Sequence, residues 1–453
     1  MRTDSTHVLA AVRRLNRAEL VGETLRAALE ELAAVGGEWL AGLVTAEWAR
    51  RYHRPIRFER LPRGKDELAA WVLRVGADGM QILEAVYAAG APRRLRELPK
   101  VQVLRQMWVQ QYWREEDGSL AWRGPKTTRD RQSRRDTPRR RSAAAAVRGR
   151  PDPDSARVPW AGLEVLTPHD PQARYCRKGA ATATSAGKAE WIGYRDHQSE
   201  TCDGEGPNVI VHVVTRLAPE QDIDALEAIH QGLAARDLAP CEHLVDGGYV
   251  TPDAMHHAAT RWGITLLGPV RADPRGAQRP GFTKADFHID WQAHTLTCPR
   301  GVTSPPWKPA TGDGRAYLSV LFPRKACRVC EDRLACTGNA DGKGRHITLL
   351  PEPLQKIQTR ARAEQQTLQW QARYAQRAGC EATVSETVHA HGLRRCRYRG
   401  LAKTHVQHVL TAAGTNIIRL AECYPPGTIP DRLSRPTSPF QQLCQRFHTP
   451  PAD

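Results

Sequence analysis

Apolar residues near the start of the chain recur at helical spacing. A stripe of leucines predicts an amphipathic helix over residues 16–35, with an apolar face formed by Leu20, Leu25, Leu29 and Leu32. Residues 1–12 read as a short strand before it. Further helical segments are predicted around 37–52, 65–90 and 101–114. The chain therefore opens with one strand and continues as a helical block over 13–122.

From about residue 160 the pattern changes to alternating strands and helices. Residues 191–197 and 209–215 predict an antiparallel pair of strands, and the second is an unbroken β-branched run that is typical of a central strand. Strands are then predicted at 241–246 and 263–268, and helices at 220–236, 252–262, 352–390 and 403–423. This order predicts an α/β fold.

Composition narrows the classes of function. The chain has 453 residues, with 66 Lys and Arg against 49 Asp and Glu, a formal charge of +17 and a pI near 9.7. This excess favours a polyanionic partner such as nucleic acid, although Arg-rich composition in high-GC genomes produces the same charge. No apolar run reaches the roughly 18 residues of a membrane span, and the first residues lack the apolar core of a signal peptide. Eleven scattered Cys indicate a reducing cytoplasm.

Residues 123–160 are rich in Arg and almost free of large apolar side chains. Such a segment cannot bury enough surface to fold alone. Two interpretations stay open: a basic arm on DNA phosphates, or a solvated low-complexity linker. The Pro-rich tail over 425–453 is also expected to be loosely ordered.

Three acids are candidates for chemistry. Glu381 follows Arg377 by four residues and Tyr374 by seven, so a helix would place all three on one face. Asp246 ends a predicted strand and precedes two glycines, which leave room for a metal ion and a phosphate. Asp4 lies in the first predicted strand, in Thr-Asp-Ser-Thr.

Taken together these motifs resemble the DDE transposases of bacterial insertion sequences, of the group with a four-Cys insertion between the second Asp and the Glu. The motifs are Thr-Asp-Ser-Thr, Asp-Gly-Gly-Tyr and Tyr-x2-Arg-x3-Glu, in that order. The resemblance extends through segments 170–175, 193–197, 392–403 and 412–420, and so covers most of the chain.

The resemblance implies a ribonuclease H-like mixed sheet with helices. It places the catalytic core in 1–12, 161–282 and 346–424, interrupted by the helical insertion over 13–122 and a Cys-rich insertion over 283–345. It further implies that Asp4, Asp246 and Glu381 hold two Mg²⁺ ions, which suit carboxylate ligands and in-line displacement at phosphorus. Water would nick the end of the element, and the freed 3′-hydroxyl would attack target DNA. The expected partners are the terminal inverted repeats, target DNA and a second copy of the chain in a synaptic dimer.

Supporting residues are predicted around these acids. Tyr374, Arg377 and Tyr249 are expected to position the substrate. A basic segment after Glu381 is expected to contact DNA phosphates through Arg394, Arg395, Arg397, Arg399 and Lys403.

The sequence departs from the family pattern in two places. Related transposases often carry a Lys seven residues after the Glu, where this chain has Val388. They also usually have a helical region before the first Asp, so further sequence is expected upstream of Met1. Asp170 is the alternative first acid, although Asp4 in Asp-Ser-Thr matches better. The alternative functions are a catalytically decayed, N-terminally truncated, zinc-containing DNA-binding protein and a nuclease on the same fold.

Four cysteines form a separate candidate site. Cys327 and Cys330 are spaced as Cys-x2-Cys, with Cys298 before them and Cys336 after them. Four soft ligands fit a closed, structural Zn²⁺ site. The many Arg and Lys side chains nearby are expected to favour the thiolate form. The intervening sequence is rich in Pro and Gly and is expected to be poor in apolar core.

Overall fold

The computed structural model of the chain describes residues 1–123, 165–178, 189–202, 204, 206–273, 276–312, 314–340 and 343–423. The predicted basic linker over 123–160 lies outside these ranges except for its first residue. The predicted tail over 425–453 lies entirely outside them. None of the helices in the described ranges is long and apolar enough to cross a membrane.

The opening strand and the helical block are present as predicted. Strand β1 (Arg2–Leu9) is followed by α1 (Arg17–Ala41), α2 (Ala46–Tyr52), α3 (Lys65–Tyr87) and α4 (Pro99–Gln111). Helix α1 begins where the Asn16 side chain accepts the Glu19 N–H and the Glu19 carboxylate accepts the Asn16 N–H, a capping box. Its regular geometry is interrupted at Gly36.

Helices α1, α3 and α4 pack around one apolar core. Its fully buried members include Val21, Leu25, Leu32, Val72, Ile82, Leu104 and Met107. Gly79 of α3 allows the close approach of α4, because a Cβ there would lie 2.0 Å from the Trp108 ring. The helix predicted over 101–114 ends at Gln111. The chain turns there into a hairpin of β2 (Tyr112–Arg114) and β3 (Leu120–Trp122), which the helical pattern did not predict.

A mixed sheet follows the helical block, which confirms the predicted α/β class of the fold. Its later strands are β4 (Arg174–Lys178), β5 (Ala189–Glu200), β6 (Ile210–Leu217), β7 (Glu242–Leu244) and β8 (Thr265–Leu267). Among the described residues the strand order is β4-β5-β1-β7-β8, with β6 also paired to the long strand β5. Strand β1 runs antiparallel to β5 and parallel to β7, and the predicted antiparallel pairing of β5 with β6 is confirmed.

Helices cover this sheet. They are α5 (Asp222–Ala234) and α6 (Pro252–Trp262), and after the Cys-containing region α9 (Glu352–Glu364), α10 (Leu368–Ala375), α11 (Ala378–His389) and α12 (Leu401–Glu422). The single helical stretch predicted over 352–390 is thus three helices. Helix α11 lies against β1 and β5, and α12 lies against β6.

The Cys-containing region has a small apolar core, which corrects the expectation that it is core-poor. It comprises β9 (His288–Asp290), β10 (Thr295–Thr297), β11 (Lys308–Gly312), β12 (Arg315–Leu321), α7 (Arg324–Arg328), α8 (Arg333–Thr337) and β13 (His346–Leu349). Aromatic and aliphatic side chains of these strands fill the core: Phe287, Leu296, Val320, Phe322, Ile347 and Leu349. Because these side chains are far apart in sequence, no local run of apolar residues reveals them.

Candidate active site

Strand pairing places Asp4 beside Asp246. Strands β1 and β7 run parallel with Arg2 opposite Leu244, so the two aspartates, each two residues further on, lie at the same level. Neighbouring strands are about 4.8 Å apart, so the two carboxylates start from adjacent backbone positions. The Asp4 Oδ1 atom also accepts the Ser5 N–H at 2.8 Å.

The turn after β7 holds the Asp246 carboxylate in place. Its Oδ1 accepts the Gly248 N–H at 2.6 Å, and the Tyr249 N–H donates to the Asp246 carbonyl at 3.1 Å. A Cβ at position 248 would lie 2.7 Å from Asp222 Oδ2 and 2.8 Å from Asp246 Oδ1, so a larger residue there would displace these carboxylates. A fourth acid, Asp222, which the sequence analysis did not select, is therefore also close to this turn.

Helix α11 brings Glu381 to the same place. Glu381 lies in the first turn of the helix, where the N-terminal end of the macrodipole favours a negative charge. Arg377 joins it to β1, since its Nη1 lies 2.5 Å from Glu381 Oε1 and its Nη2 lies 3.0 Å from Asp4 Oδ1. The Glu381 side chain is 60% exposed, whereas those of Asp4 and Arg377 are nearly buried. Glu381 thus stands on the open side of the cluster.

The charges of the three acids act on one another. Burial raises the pKa of Asp4, the positive charge of Arg377 lowers it, and the carboxylates of Asp246 and Glu381 raise it again. The net shift is upward. The same acids raise the pKa of the Tyr374 hydroxyl, although burial is the larger cause. Tyr374, Arg377 and Glu381 thus lie close to both aspartates, but the prediction that one helix carries all three is wrong. Tyr374 belongs to α10, Arg377 precedes α11, and Glu381 lies in the first turn of α11.

The chemistry of this set fits Mg²⁺, although Arg377 occupies its centre. Carboxylate oxygens are the ligands that Mg²⁺ prefers, and Asp4, Asp246 and Glu381 bring three carboxylates together around one positive charge. Within the described ranges no three His, Cys, Asp or Glu side chains converge closely enough to hold a metal ion. The three carboxylates are thus suitable ligands for Mg²⁺ by type, and in this structure the Arg377 guanidinium balances their negative charge.

The two tyrosines predicted to position substrate differ in accessibility. Tyr374 is stacked on Trp370, with ring centroids 4.8 Å apart, beside the acids. Tyr249 is fully buried, and its hydroxyl lies 2.6 Å from His197 Nδ1. A direct contact between the Tyr249 hydroxyl and DNA would require that bond to break, and the Tyr249 ring is part of the apolar core beside the sheet.

The alternative first acid lies elsewhere. Asp170 is fully buried, and its Oδ1 accepts the Tyr194 hydroxyl at 2.6 Å. Tyr194 is paired with Val8, four residues along β1 from Asp4, which corresponds to about 13 Å. The structure therefore groups Asp4, and not Asp170, with Asp246 and Glu381.

The basic segment after α11 divides into a structural and an exposed part. Arg394 donates to the Thr6 hydroxyl at 2.9 Å and to the His7 carbonyl at 2.5 Å, so it is bound to β1. Four basic side chains are exposed, namely Arg395, Arg397, Arg399 and Lys403. Val388, at the position where related transposases often have Lys, is buried and faces the core.

The four predicted zinc ligands line one small cavity. Cys298, Cys327, Cys330 and Cys336 surround a space of about 30 Å³ beside the apolar core of this region. Burial raises the pKa of Cys336 to about 11, and the charges of the other three cysteines add to the shift. Burial likewise raises the pKa of Cys327. The expectation that nearby basic residues favour the thiolate is therefore wrong for these two thiols. Burial and the neighbouring cysteines raise both pKa values, and Arg279 lowers that of Cys336 by less. The set of ligand types fits Zn²⁺, and the sulfur atoms are not at ligand positions.

The sequence analysis missed a buried ionic network that holds α11 against the sheet. Glu200, at the end of β5, pairs with Arg2 at 2.7 Å and with Arg419 of α12 at 3.1 Å. It also accepts the Thr383 hydroxyl at 2.6 Å, and Arg2 donates to the Gln376 carbonyl at 2.6 Å. A carboxylate with no exposed surface thus links β1, α11 and α12.

A sequence feature could have indicated this network. Residues 195–200 of β5 are six polar residues in succession, and a central strand that is polar on both faces must have polar partners on both sides. All but Arg195 are fully or almost fully buried.

Comparison with known proteins gives one match. Residues 297–421 match the family model described as "Transposase DDE domain". The matched range includes Glu381 and the four cysteines, but not Asp4 or Asp246. No curated protein and no solved structure matches the chain. The match supports a DDE transposase family, and the mixed sheet with its helices fits the ribonuclease H-like fold of such a domain.

Proposed function

We propose that this chain is a DNA transposase that cleaves the ends of an insertion sequence and joins the freed 3′-hydroxyl to target DNA, acting in the cytoplasm. One observation carries the proposal. Asp4, Asp246 and Glu381 come from three distant parts of the chain and meet around Arg377, and the third acid lies within the range that matches a transposase domain.

The three acids would hold two Mg²⁺ ions. When bound, such ions lower the cost of forming and expelling negatively charged oxygens at phosphorus. The protein's own contribution is to fix its carboxylates. The Gly248 N–H orients Asp246, the Ser5 N–H orients Asp4, and helix α11 presents Glu381.

Arg377 has two roles in this proposal. In the structure it neutralises Asp4 and Glu381, which keeps three like charges together. Once cations neutralise the acids, its guanidinium can pair with a DNA phosphate, for which its fork of N–H donors is well suited. Tyr374, whose ring is stacked on Trp370, would limit where the phosphate lies.

A structural Zn²⁺ is the second metal in the proposal. Cys298, Cys327, Cys330 and Cys336 line one cavity, and their thiolates would close a tetrahedral site. Ligation would require the four sulfur atoms to come closer together, through movement of the short helices α7 and α8, which carry Cys327 and Cys336. The proposed partners are the element's terminal inverted repeats, target DNA and a second copy of the chain.

The test uses the DNA that flanks the gene. The purified full chain is incubated with labelled end fragments, a target plasmid and either Mg²⁺ or EDTA. The proposal predicts Mg²⁺-dependent nicks at the ends and products joined to the plasmid. Nicks without joined products would instead indicate a nuclease, and the absence of both would refute a catalytic function.

A further inference from the structure

A second concave site lies where β1 ends and β5 begins. It is a groove of about 440 Å³. Tyr175, Trp191 and Ile192 form its walls, and Arg14, Glu190 and Arg395 lie around its rim. The cleavage centre does not use this groove. Leu9, at its edge, is five residues from Asp4 along β1, which corresponds to about 17 Å.

The aromatic walls suit a planar ligand. Tyr175 is 39% exposed, and the Arg14 guanidinium lies 5.9 Å from the centroid of its ring. Trp191 is held in place, because its indole N–H donates to the Tyr194 carbonyl at 3.2 Å and its ring packs against His7, with the two ring centroids 5.1 Å apart. The Trp191 wall is therefore fixed, and the Tyr175 wall presents an exposed ring. Exposed aromatic rings beside cations are the usual surfaces on which unpaired bases stack.

The rim supplies both signs of charge. The exposed side chains of Arg14 and Arg395 can pair with phosphate oxygens. Glu190 is 44% exposed and lies 3.5 Å from Arg177. A carboxylate accepts hydrogen bonds from exocyclic amino groups of cytosine or adenine, whereas thymine carries a carbonyl oxygen at the equivalent position. The groove thus has a stacking surface, phosphate partners and an acceptor that distinguishes bases.

We propose that this groove binds one unpaired nucleotide of DNA, with its base on Tyr175, its phosphate near Arg14 and Arg395, and its amino group on Glu190. The proposal rests on the proposed function only in taking DNA as the partner. It adds a single-strand site outside the cleavage centre, with a preference for cytosine or adenine over thymine.

The test is binding of fluorescein-labelled 12-nucleotide oligo-deoxycytidine and oligo-deoxythymidine, measured by anisotropy in EDTA at constant salt. The wild-type chain should prefer oligo-deoxycytidine. Tyr175→Ala should weaken binding of both oligonucleotides by about tenfold, the usual effect of losing one stacked base. Tyr175→Phe, which keeps the ring, should bind like wild type. Glu190→Gln should remove the preference for deoxycytidine.

Tyr87→Ala is the matched control, because Tyr87 is 38% exposed, has the Arg96 guanidinium 5.5 Å from its ring centroid and lies outside the groove. It should leave binding unchanged. Equal binding by wild type and Tyr175→Ala would overturn the proposal, as would an equal loss in Tyr175→Ala and Tyr87→Ala. Since no metal ion is present in the assay, these results are independent of whether the chain cleaves DNA.

Discussion

Replacing Glu200 by Gln should loosen helix α11 and thereby the position of Glu381. The Glu200 side chain has no exposed surface, and its partners Arg2 and Arg419 are 9% and 17% exposed. Removing one partner of a buried ion pair costs about 3–5 kcal/mol. Gln keeps the size and one acceptor oxygen, so the lower end, about 3 kcal/mol, is expected. Each 1.4 kcal/mol is roughly tenfold, so opening of α11 should become about a hundredfold more frequent.

Cys380 reports this opening directly. It is fully buried in α11, and its thiol donates to the Gln198 carbonyl at 3.7 Å, so it reacts only when the helix lifts from β5. The native full chain is treated with a maleimide, quenched and digested, and labelling of the Cys380 peptide is followed by mass spectrometry. The thiol in urea-unfolded protein gives the unprotected rate.

The control is Glu364→Gln on α9. Glu364 is 52% exposed and lies 3.6 Å from Arg360, an exposed pair worth at most about 1 kcal/mol. It should leave Cys380 labelling unchanged. If Glu200→Gln labels Cys380 within about threefold of the wild-type rate, the network does not hold α11 and the reasoning fails.

Three further predictions concern charge and metal ions. Burial and the neighbouring acids raise the pKa of Asp4, so activity should fall on acidification at a pH above 3.8. Arg377→Gln removes the cation that lowers this pKa. In a pH-rate profile, this variant should therefore lose activity at a higher pH than wild type. Burial lowers the pKa of His408, but the Asp196 carboxylate at 2.9 Å outweighs it and the pKa rises to about 9. The His408–Asp196 pair should therefore contribute on the order of 3 kcal/mol to the free energy of unfolding below pH 6.5. This contribution should be lost as the pH rises through about 9. Thermal unfolding between pH 6 and 10 should show this loss in wild type and not in Asp196→Asn. Metal analysis should find about one zinc per chain, and Cys330→Ser should lose it while Cys423→Ser, at an exposed thiol outside the cluster, keeps it. Zinc-free wild-type protein with unchanged thermal stability would contradict this site.

Sequence patterns predicted the local elements well and the long-range contacts incompletely. The leucine stripe of α1, the β-branched run of β6 and the turn glycines after Asp246 each act within a few residues, so their consequences could be read directly. The motif order also selected the three acids that the structure brings together. What could not be read were interactions between distant segments. Arg394 is bound to β1 and Tyr249 is bound to His197, and both hydrogen bonds join residues that are far apart in the sequence.

Burial explains the remaining errors. The thiolate expectation for Cys327 and Cys336 counted nearby positive charges but not the loss of solvent around the sulfur atoms. The polar run over 195–200 indicates buried polar partners for β5, but the identity of the Glu200 partners, Arg2 and Arg419, depends on segments far away in the chain.

The central claim is that Asp4, Asp246 and Glu381 form one Mg²⁺-dependent cleavage centre. The most direct measurement is the nicking rate on end fragments for Asp4→Asn, Asp246→Asn and Glu381→Gln, with Glu364→Gln, at an exposed acid on α9, as control. Because loss of even a partner of a metal ligand costs about 10- to 100-fold, each of the three should lower the rate by at least about a hundredfold, without weakening DNA binding in EDTA. Glu364→Gln should retain most activity. Mg²⁺-dependent nicking at the wild-type rate by any one of the three variants would contradict the claim.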